Sequence, residues 1–266
     1  MIAAAAPGLY DEMFHLPPNR NLLTFLREEQ PCAAVVFDGM SLRELPLVQQ
    51  LAGQSGLSIR EVGVSYAALP SETNDFVEQR LETGARISPS QLPGRRDLGA
   101  LGITAYYYSH PLERQGLASS EPAMLLWSHF PDSVYRDSGA RFAQHFGQIH
   151  ARFETAWMNT VQQVPRRRPI LVTSDHGYIF LQYTTDRSRS DMQQVSRRFG
   201  NERFYCLGED EQPLPHPDVQ YFPSRRLECL RGRVTTYGQG EAANRLYRHG
   251  GLSLMEMLTP WLVLEP

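Results

Sequence analysis

An aspartate and a histidine stand side by side at Asp175-His176, directly after the apolar run Ile170-Leu-Val-Thr173 and before Gly177. A carboxylate and an imidazole are oxygen and nitrogen donors of the kind that hold zinc or manganese. A similar pattern, an apolar run closed by a carboxylate and a glycine, occurs at Cys32-Ala-Ala-Val-Val-Phe37 followed by Asp38-Gly39. A third run, Ile59 to Leu69, leads into Pro70-Ser-Glu-Thr73, and a fourth, Ala123 to Trp127, leads to His129, Asp132 and Asp137. His249 sits in a glycine-flanked turn, Arg248-His-Gly-Gly251. These spacings are far too long for a local metal loop. Asp38, Thr73, Asp132, Asp175, His176 and His249 would have to be assembled from strand tips and turns. Such an assembly suits a hydrolase with two cations about 4 Å apart, which activate a nucleophile on one side and steady the leaving oxygen on the other. Thr73 is the candidate nucleophile, because a hydroxyl beside a metal loses its proton readily and can attack phosphorus; Ser71 competes for that role. Each residue alone also has an ordinary reading: a helix N-cap for Asp175 or Thr73, a turn carboxylate for Asp38, a surface position for His176.

The elements that must position these side chains follow from periodicity. Four apolar or β-branched residues bounded by charge and glycine read as a short buried strand of a parallel sheet, and in open α/β sheets ligands gather at the carboxyl ends of such strands. Helices are expected over Asn21–Glu29, over Ser41–Gln54 with Leu42, Leu45, Leu47 and Leu51 at helical spacing, and over Asn74–Glu82, closing at Gly84. A longer helix places Phe142, Phe146, Ile149, Phe153 and Trp157 on one face. Residues 1–30 read as a lead-in segment, and 85–121, rich in Pro, Gly and Ser, as a long surface excursion. Beyond Tyr178, Asp186 to Arg203 reads as a loop or short helix, Leu227 to Tyr237 as one or two strands, and Leu258 to Leu264 as a last extended run. Strands alternating with helices predict an α/β sheet. A single domain of 266 residues buries enough surface to need no staples.

Taken in order, four pieces resemble the PglZ domain of the alkaline phosphatase superfamily, and also that superfamily's nucleotide pyrophosphatase/phosphodiesterase branch. They are Phe37-Asp-Gly39; Leu69-Pro-Ser-Glu-Thr73 with Thr83-Gly84 downstream; Thr173-Ser-Asp-His-Gly177; and His249-Gly-Gly-Leu-Ser253 with Glu256 and Pro260. The resemblance runs from residue 32 to residue 264. It implies an α/β, alkaline-phosphatase-like fold: a mostly parallel central sheet with helices on both faces. It further implies that Asp38, Asp175 and His176 hold one metal with Thr73 as its nucleophile, and that His249 binds a second. The remaining ligands should come from Ser128 to Asp137. There Arg136 stands where the phosphodiesterase branch has a histidine four residues after an aspartate, and Asp132 with Asp137 fits a variant that uses a later aspartate. The implied activity is metal-dependent phosphodiester hydrolysis, on a nucleotide or nucleic acid, through a phosphothreonine. The implied cofactors are one or two divalent ions, zinc with manganese as the alternative. A sulfatase is not implied, since no Cys/Ser-x-Pro-x-Arg signature occurs. PglZ-like proteins also occur in bacterial anti-phage systems such as BREX and as effector parts of signalling proteins. The resemblance therefore has a second implication, a weakened binding or scaffold module partnered by other defence-system proteins.

Composition narrows the partners. Hydrophobic content of 41% and charged content of 21% belong to an ordinary soluble globular protein. A net charge of −3 gives no global basic field for nucleic acid or an anionic membrane. All 26 basic residues are Arg, which favours bidentate phosphate contacts wherever they face a site. Arg187, Arg189, Arg197, Arg198 and Arg203 are the phosphate-contact candidates, whereas Arg166 to Arg168 reads as a solvated helix end. Cys32, Cys206 and Cys229 form no CxxC and are expected as small buried hydrophobes in a reducing compartment. No apolar run approaches the roughly 18 residues of a membrane span, so a cytoplasmic protein is the expectation.

Overall fold

A computed structural model describes residues 20–135, 142–180, 192–234, 236 and 247–266, with the backbone alone for 142–146. Its centre is strand β1 (Cys32–Phe37), buried along its whole length. Successive side chains of a strand point to opposite faces, so this one strand feeds two cores. Ala33, Val35 and Phe37 pack with Val48 and Leu51 of the helix Leu45–Gln54 and with Ile149, Phe153 and Trp157 of the helix Phe142–Asn159. Cys32, Ala34 and Val36 pack with Leu22, Leu23 and Phe25 of the helix Leu22–Glu28 and with Phe76 and Val77 of the helix Thr73–Arg80. Helices therefore cover both faces, and an apolar run without alternation is what a strand buried on both sides demands.

Around β1 lie β2 (Ser58–Tyr66), β3 (Ile103–Tyr108), β4 (Ala123–Ser128), β5 (Ile170–Thr173) and β11 (Leu258–Glu265), in the order β2-β11-β5-β1-β4-β3. The pairs β1–β4, β1–β5 and β3–β4 are parallel. Strand β11 runs antiparallel between β2 and β5. Two smaller units sit beyond the carboxyl end of β5: the antiparallel pair of β6 (Ile179–Phe180) and β10 (Tyr247–Arg248), and a three-stranded sheet of β7 (Phe204–Cys206), β8 (Val219–Phe222) and β9 (Leu227–Leu230) in the order β7-β9-β8. Among the described residues no helix is long and apolar enough to cross a membrane.

Several expectations change. Residues 85–121 are not only a surface excursion: they contain a short helix, Arg96–Ala100, and the edge strand β3. Ile103-Thr-Ala-Tyr-Tyr-Tyr108 is rich in β-branched and aromatic residues, a strand signal masked by the flanking Pro, Gly and Ser. The second helix begins at Leu45, not Ser41, because the Glu44 carboxylate accepts bonds from the Ser41 amide and hydroxyl, each at 2.8 Å, and holds a turn there. Cys206 is exposed, unlike the buried Cys32 and Cys229. Arg168 is no solvated helix end: it is buried and donates to the carbonyls of Glu121 and Ser119 at 2.9 and 2.8 Å.

Candidate active site

The carboxyl ends of β1, β4 and β5 meet at one point, fixed there by backbone bonds between β1 and β4 and by a serine hydroxyl between β5 and β1. The Asp38 amide donates to the carbonyl of Ser128 at 2.9 Å, and the Asp132 amide donates back to the carbonyl of Asp38 at 2.9 Å. Ser174 Oγ donates to the carbonyl of Phe37 at 2.7 Å, tying β5 to β1. Gly39 turns the chain with φ +74°, and a Cβ there would stand 3.1 Å from that of Asp132. Gly177 admits the backbone of the helix Leu254–Met257, since its Cβ would lie 2.0 Å from the Met255 carbonyl oxygen.

On this frame Asp38, Asp132, Asp175 and His176 are almost wholly buried. Thr73 opens the helix Thr73–Arg80, behind Glu72 as N-cap, so it does not cap the helix itself. Its hydroxyl donates to Oδ1 of Asp38 at 3.3 Å and lies 3.2 Å from Nε2 of His176. Nε2 of His176 is 3.5 Å from Oδ2 of Asp175 and 3.7 Å from Oδ1 of Asp38. Nδ1 of His176 lies 2.9 Å from the carbonyl of Gly177, which can only accept, so Nδ1 donates there and Nε2 is the nitrogen turned toward the carboxylates. His249 is oriented in the same way: Nδ1 contacts the Ser71 carbonyl at 3.2 Å and Glu72 Oε1 at 2.9 Å, and Nε2 faces Oδ1 of Asp132 at 3.6 Å. The two imidazoles stack with centroids 4.0 Å apart.

Two residues left in reserve by the sequence find places. Ser71 is fully buried, donates to the Gly251 carbonyl and accepts from the Gly250 amide, so its hydroxyl holds the His249 turn rather than facing the cluster. His129 joins the cluster, with Nδ1 3.1 Å from Oδ2 of Asp38. Asp137, Arg136, Arg187 and Arg189 lie outside the described residues. Arg203 does not face the pocket: its Nε donates to Glu256 Oε1 at 2.7 Å in a pair that is buried on both sides. Arg198 pairs with Glu228, and Arg197 is exposed.

The donor set fits a divalent cation. A tetrahedral ion with bonds of about 2.0–2.1 Å holds its donors about 3.3–3.4 Å apart, and the separations among Thr73, Asp38, Asp175 and His176, from 3.2 to 3.7 Å, bracket that edge. Among the described residues Oδ2 of Asp175 is buried without a hydrogen-bond partner, and three buried carboxylates in one cluster need compensating positive charge. Asp38, Asp175 and His176 form one potential metal group; Asp132, His176 and His249 form another; Asp38, His129 and Asp132 a third. Burial pushes the Asp38 carboxyl upward, but the His129 hydrogen bond and the His176, His129 and His249 imidazoles outweigh it and hold it below its usual value. Burial and the Asp38 charge push Asp175 up to about 6. Two adjacent carboxylates driven apart in this way mark a site built for charge.

This sheet, with its site at the carboxyl ends of the parallel strands, is an alkaline-phosphatase-like α/β fold. Solved structures of similar fold include murine ectonucleotide pyrophosphatase/phosphodiesterase 5, with TM-score 0.51, 12% identity and 88% of each chain covered. They also include phosphonoacetate hydrolase from Sinorhizobium meliloti 1021 in complex with phosphonoformate, with TM-score 0.51, 11% identity, and 88% of this chain and 90% of that one covered. No family model matches the sequence, and no curated protein matches it.

Proposed function

We propose that the chain is a metal-dependent phosphoesterase of PglZ-like type that hydrolyses phosphodiesters, with Thr73 as nucleophile. The observation that carries this reading is the Thr73 hydroxyl, half-exposed at a helix start and within 3.3 Å of both Asp38 and His176 in a buried carboxylate–imidazole cluster. The fold neighbours, a nucleotide pyrophosphatase/phosphodiesterase and a phosphonate hydrolase by name, support phosphorus chemistry at this site. Zinc is the first candidate ion and manganese the second. Asp38, Asp175 and His176 would hold one, and Asp132 and His249 a second. Such ions supply Lewis acidity that lowers the pKa of a hydroxyl and screens phosphate charge.

Oγ1 of Thr73 releases its proton along the bond to Asp38 and attacks phosphorus. The bond from phosphorus to the leaving oxygen breaks, that oxygen takes a proton, and a phosphothreonine remains. Water then attacks phosphorus, the bond to Oγ1 breaks, and Thr73 recovers its proton. The cleft over the cluster is edged by Glu72, Glu202, Asn201 and Tyr247. Carboxylates there oppose the second negative charge of a monoester more than the single charge of a diester, which favours a diester, a nucleotide or nucleic acid. Asp132 turns toward His249, not away from it, and this supports catalysis over a weakened binding module. A cytoplasmic enzyme of one domain, working beside other proteins of a phage-defence system, remains part of this proposal.

The test is hydrolysis of a bis-aryl and a mono-aryl phosphate by metal-stripped protein resupplied with zinc or manganese. Turnover of the diester should exceed that of the monoester and fall by about 10³-fold or more in Thr73→Ala. Equal turnover in Thr73→Ala would remove the threonine from the mechanism, and no turnover with either ion would overturn the enzyme reading.

A further inference from the structure

The third group of donors, Asp38, His129 and Asp132, lies on the far side of Asp38 from Thr73. Oδ1 of Asp38 faces Thr73 and His176, whereas Oδ2 faces Nδ1 of His129 at 3.1 Å, so one carboxylate presents its two oxygens to two different sets of donors. The 3.1 Å separation is close to the spacing of two donors on one tetrahedral cation. One donor atom from each of Asp38, His129 and Asp132 lies within 4.8 Å of the others. The backbone holds all three in place: His129 N–H bonds the carbonyl of Tyr108, Asp38 N–H that of Ser128, and Asp132 N–H that of Asp38, each at 2.9 Å. Side chains carried on strand tips fixed from both neighbouring strands make a preorganised ligand set.

We propose that His129 is a metal ligand, and that with Asp132 and Oδ2 of Asp38 it holds the second cation, so that Asp38 bridges two metal positions. The inference rests on the metal-dependent reading above and extends it to a residue outside the Asp132–His249 pairing. The histidine precedes its partner aspartate by three residues in the β4 tip, Ser128-His-Phe-Pro-Asp132. Asp132 is then shared, with His249 reaching its Oδ1 at 3.6 Å.

The experiment is a cation titration of the metal-stripped full chain with zinc, followed by calorimetry, and with cobalt, followed by visible absorption. The wild type should take up two equivalents. His129→Ala should keep the first equivalent within about 3-fold of wild-type affinity, weaken the second by about 100-fold or more, and lose part of the cobalt absorption. Retention of the first equivalent also reports that the variant is folded. His129→Gln keeps a hydrogen-bond donor for Asp38 but offers no imidazole nitrogen, and should behave like His129→Ala. Recovery of the second equivalent and of the cobalt spectrum in His129→Gln would overturn the proposal and make His129 a hydrogen-bonding support for Asp38. So would a single equivalent in both wild type and His129→Ala, an outcome that leaves the phosphoesterase reading standing with one ion. No cation bound by the wild type would overturn both.

Discussion

Asp175 and Asp38 share one buried cluster yet are driven in opposite directions, and this makes the site a source of instability when no cation is bound. An aspartate in an unfolded chain titrates near 3.9. Asp175, raised to about 6, stabilises the fold fully below that unfolded value and loses the contribution as the pH rises through 6. Asp38, lowered, contributes in the opposite sense: its stabilisation is present above the unfolded value and is lost only in stronger acid. A rise from the unfolded value to about 6 corresponds to about 3 kcal/mol. In chelator, the wild-type protein should therefore lose stability relative to Asp175→Asn by about 2–3 kcal/mol between pH 4 and pH 7, read from urea midpoints. Zinc should reverse the difference at pH 7 by stabilising the wild type more than Asp175→Asn, which lacks a ligand of the first ion only. Parallel pH profiles for the two proteins would show that the Asp175 charge carries no such cost.

At the scale of elements, close backbone approach decides which glycines matter. Gly177 lies where the tip after β5 meets the helix Leu254–Met257, and its amide donates to the Glu256 carbonyl at 2.9 Å. A methyl group there would collide with the Met255 carbonyl oxygen. Gly177→Ala should cost about 1–3 kcal/mol or more, since a backbone oxygen cannot swing aside, and should weaken metal uptake through the neighbouring Asp175 and His176. Gly147 offers the opposite sign. It lies exposed in the helix Phe142–Asn159, and a Cβ added there would meet open space. Gly147→Ala should gain about 0.5–1 kcal/mol by removing backbone freedom from the unfolded chain. Thermal unfolding of both variants checks the pair, and a loss at Gly147 or a gain at Gly177 would contradict this account of the packing.

Across the whole molecule, a buried ion pair ties the three-stranded sheet to the turn that carries His249 in the carboxylate–imidazole cluster. Arg203, just ahead of β7, bonds Glu256 with two guanidinium nitrogens, and it also reaches the carbonyls of Gly232 and Val234. Glu256 accepts from the Gly251 and Ser253 amides and so shapes the turn that carries His249. Removing one partner strands a charge in the interior. Arg203→Met should cost about 3–5 kcal/mol and weaken the His249 half of the site more than the Asp175 half. The measurement is a urea midpoint together with a cation titration. A loss below about 1 kcal/mol would mean that the small sheet is not anchored through this pair.

The amino-acid sequence by itself determined the strand tips. β1 and β5 are legible because a strand buried on both faces must be apolar throughout, and Asp38-Gly39 and Asp175-His176-Gly177 interrupt that demand abruptly. The turn at His249 was legible from its glycines. Only the tertiary structure decided the rest. The place of β11 as an antiparallel strand between β2 and β5 follows from pairings about 200 and about 90 residues apart in sequence, which no local pattern encodes. Ser71 and Thr73 have equivalent hydroxyls on paper, and it took the approach of the Gly250–Gly251 backbone to occupy one and leave the other facing Asp38. The β3 strand was hidden by its flanking turn residues, and Arg203 looked like a phosphate contact until Glu256 arrived from 53 residues away. His129 met Asp38 only once β4 lay beside β1 in register, with Phe37 opposite Ser128. Local composition fixes which segments are buried; which donors meet is set by strand order and register, and these depend on distant partners.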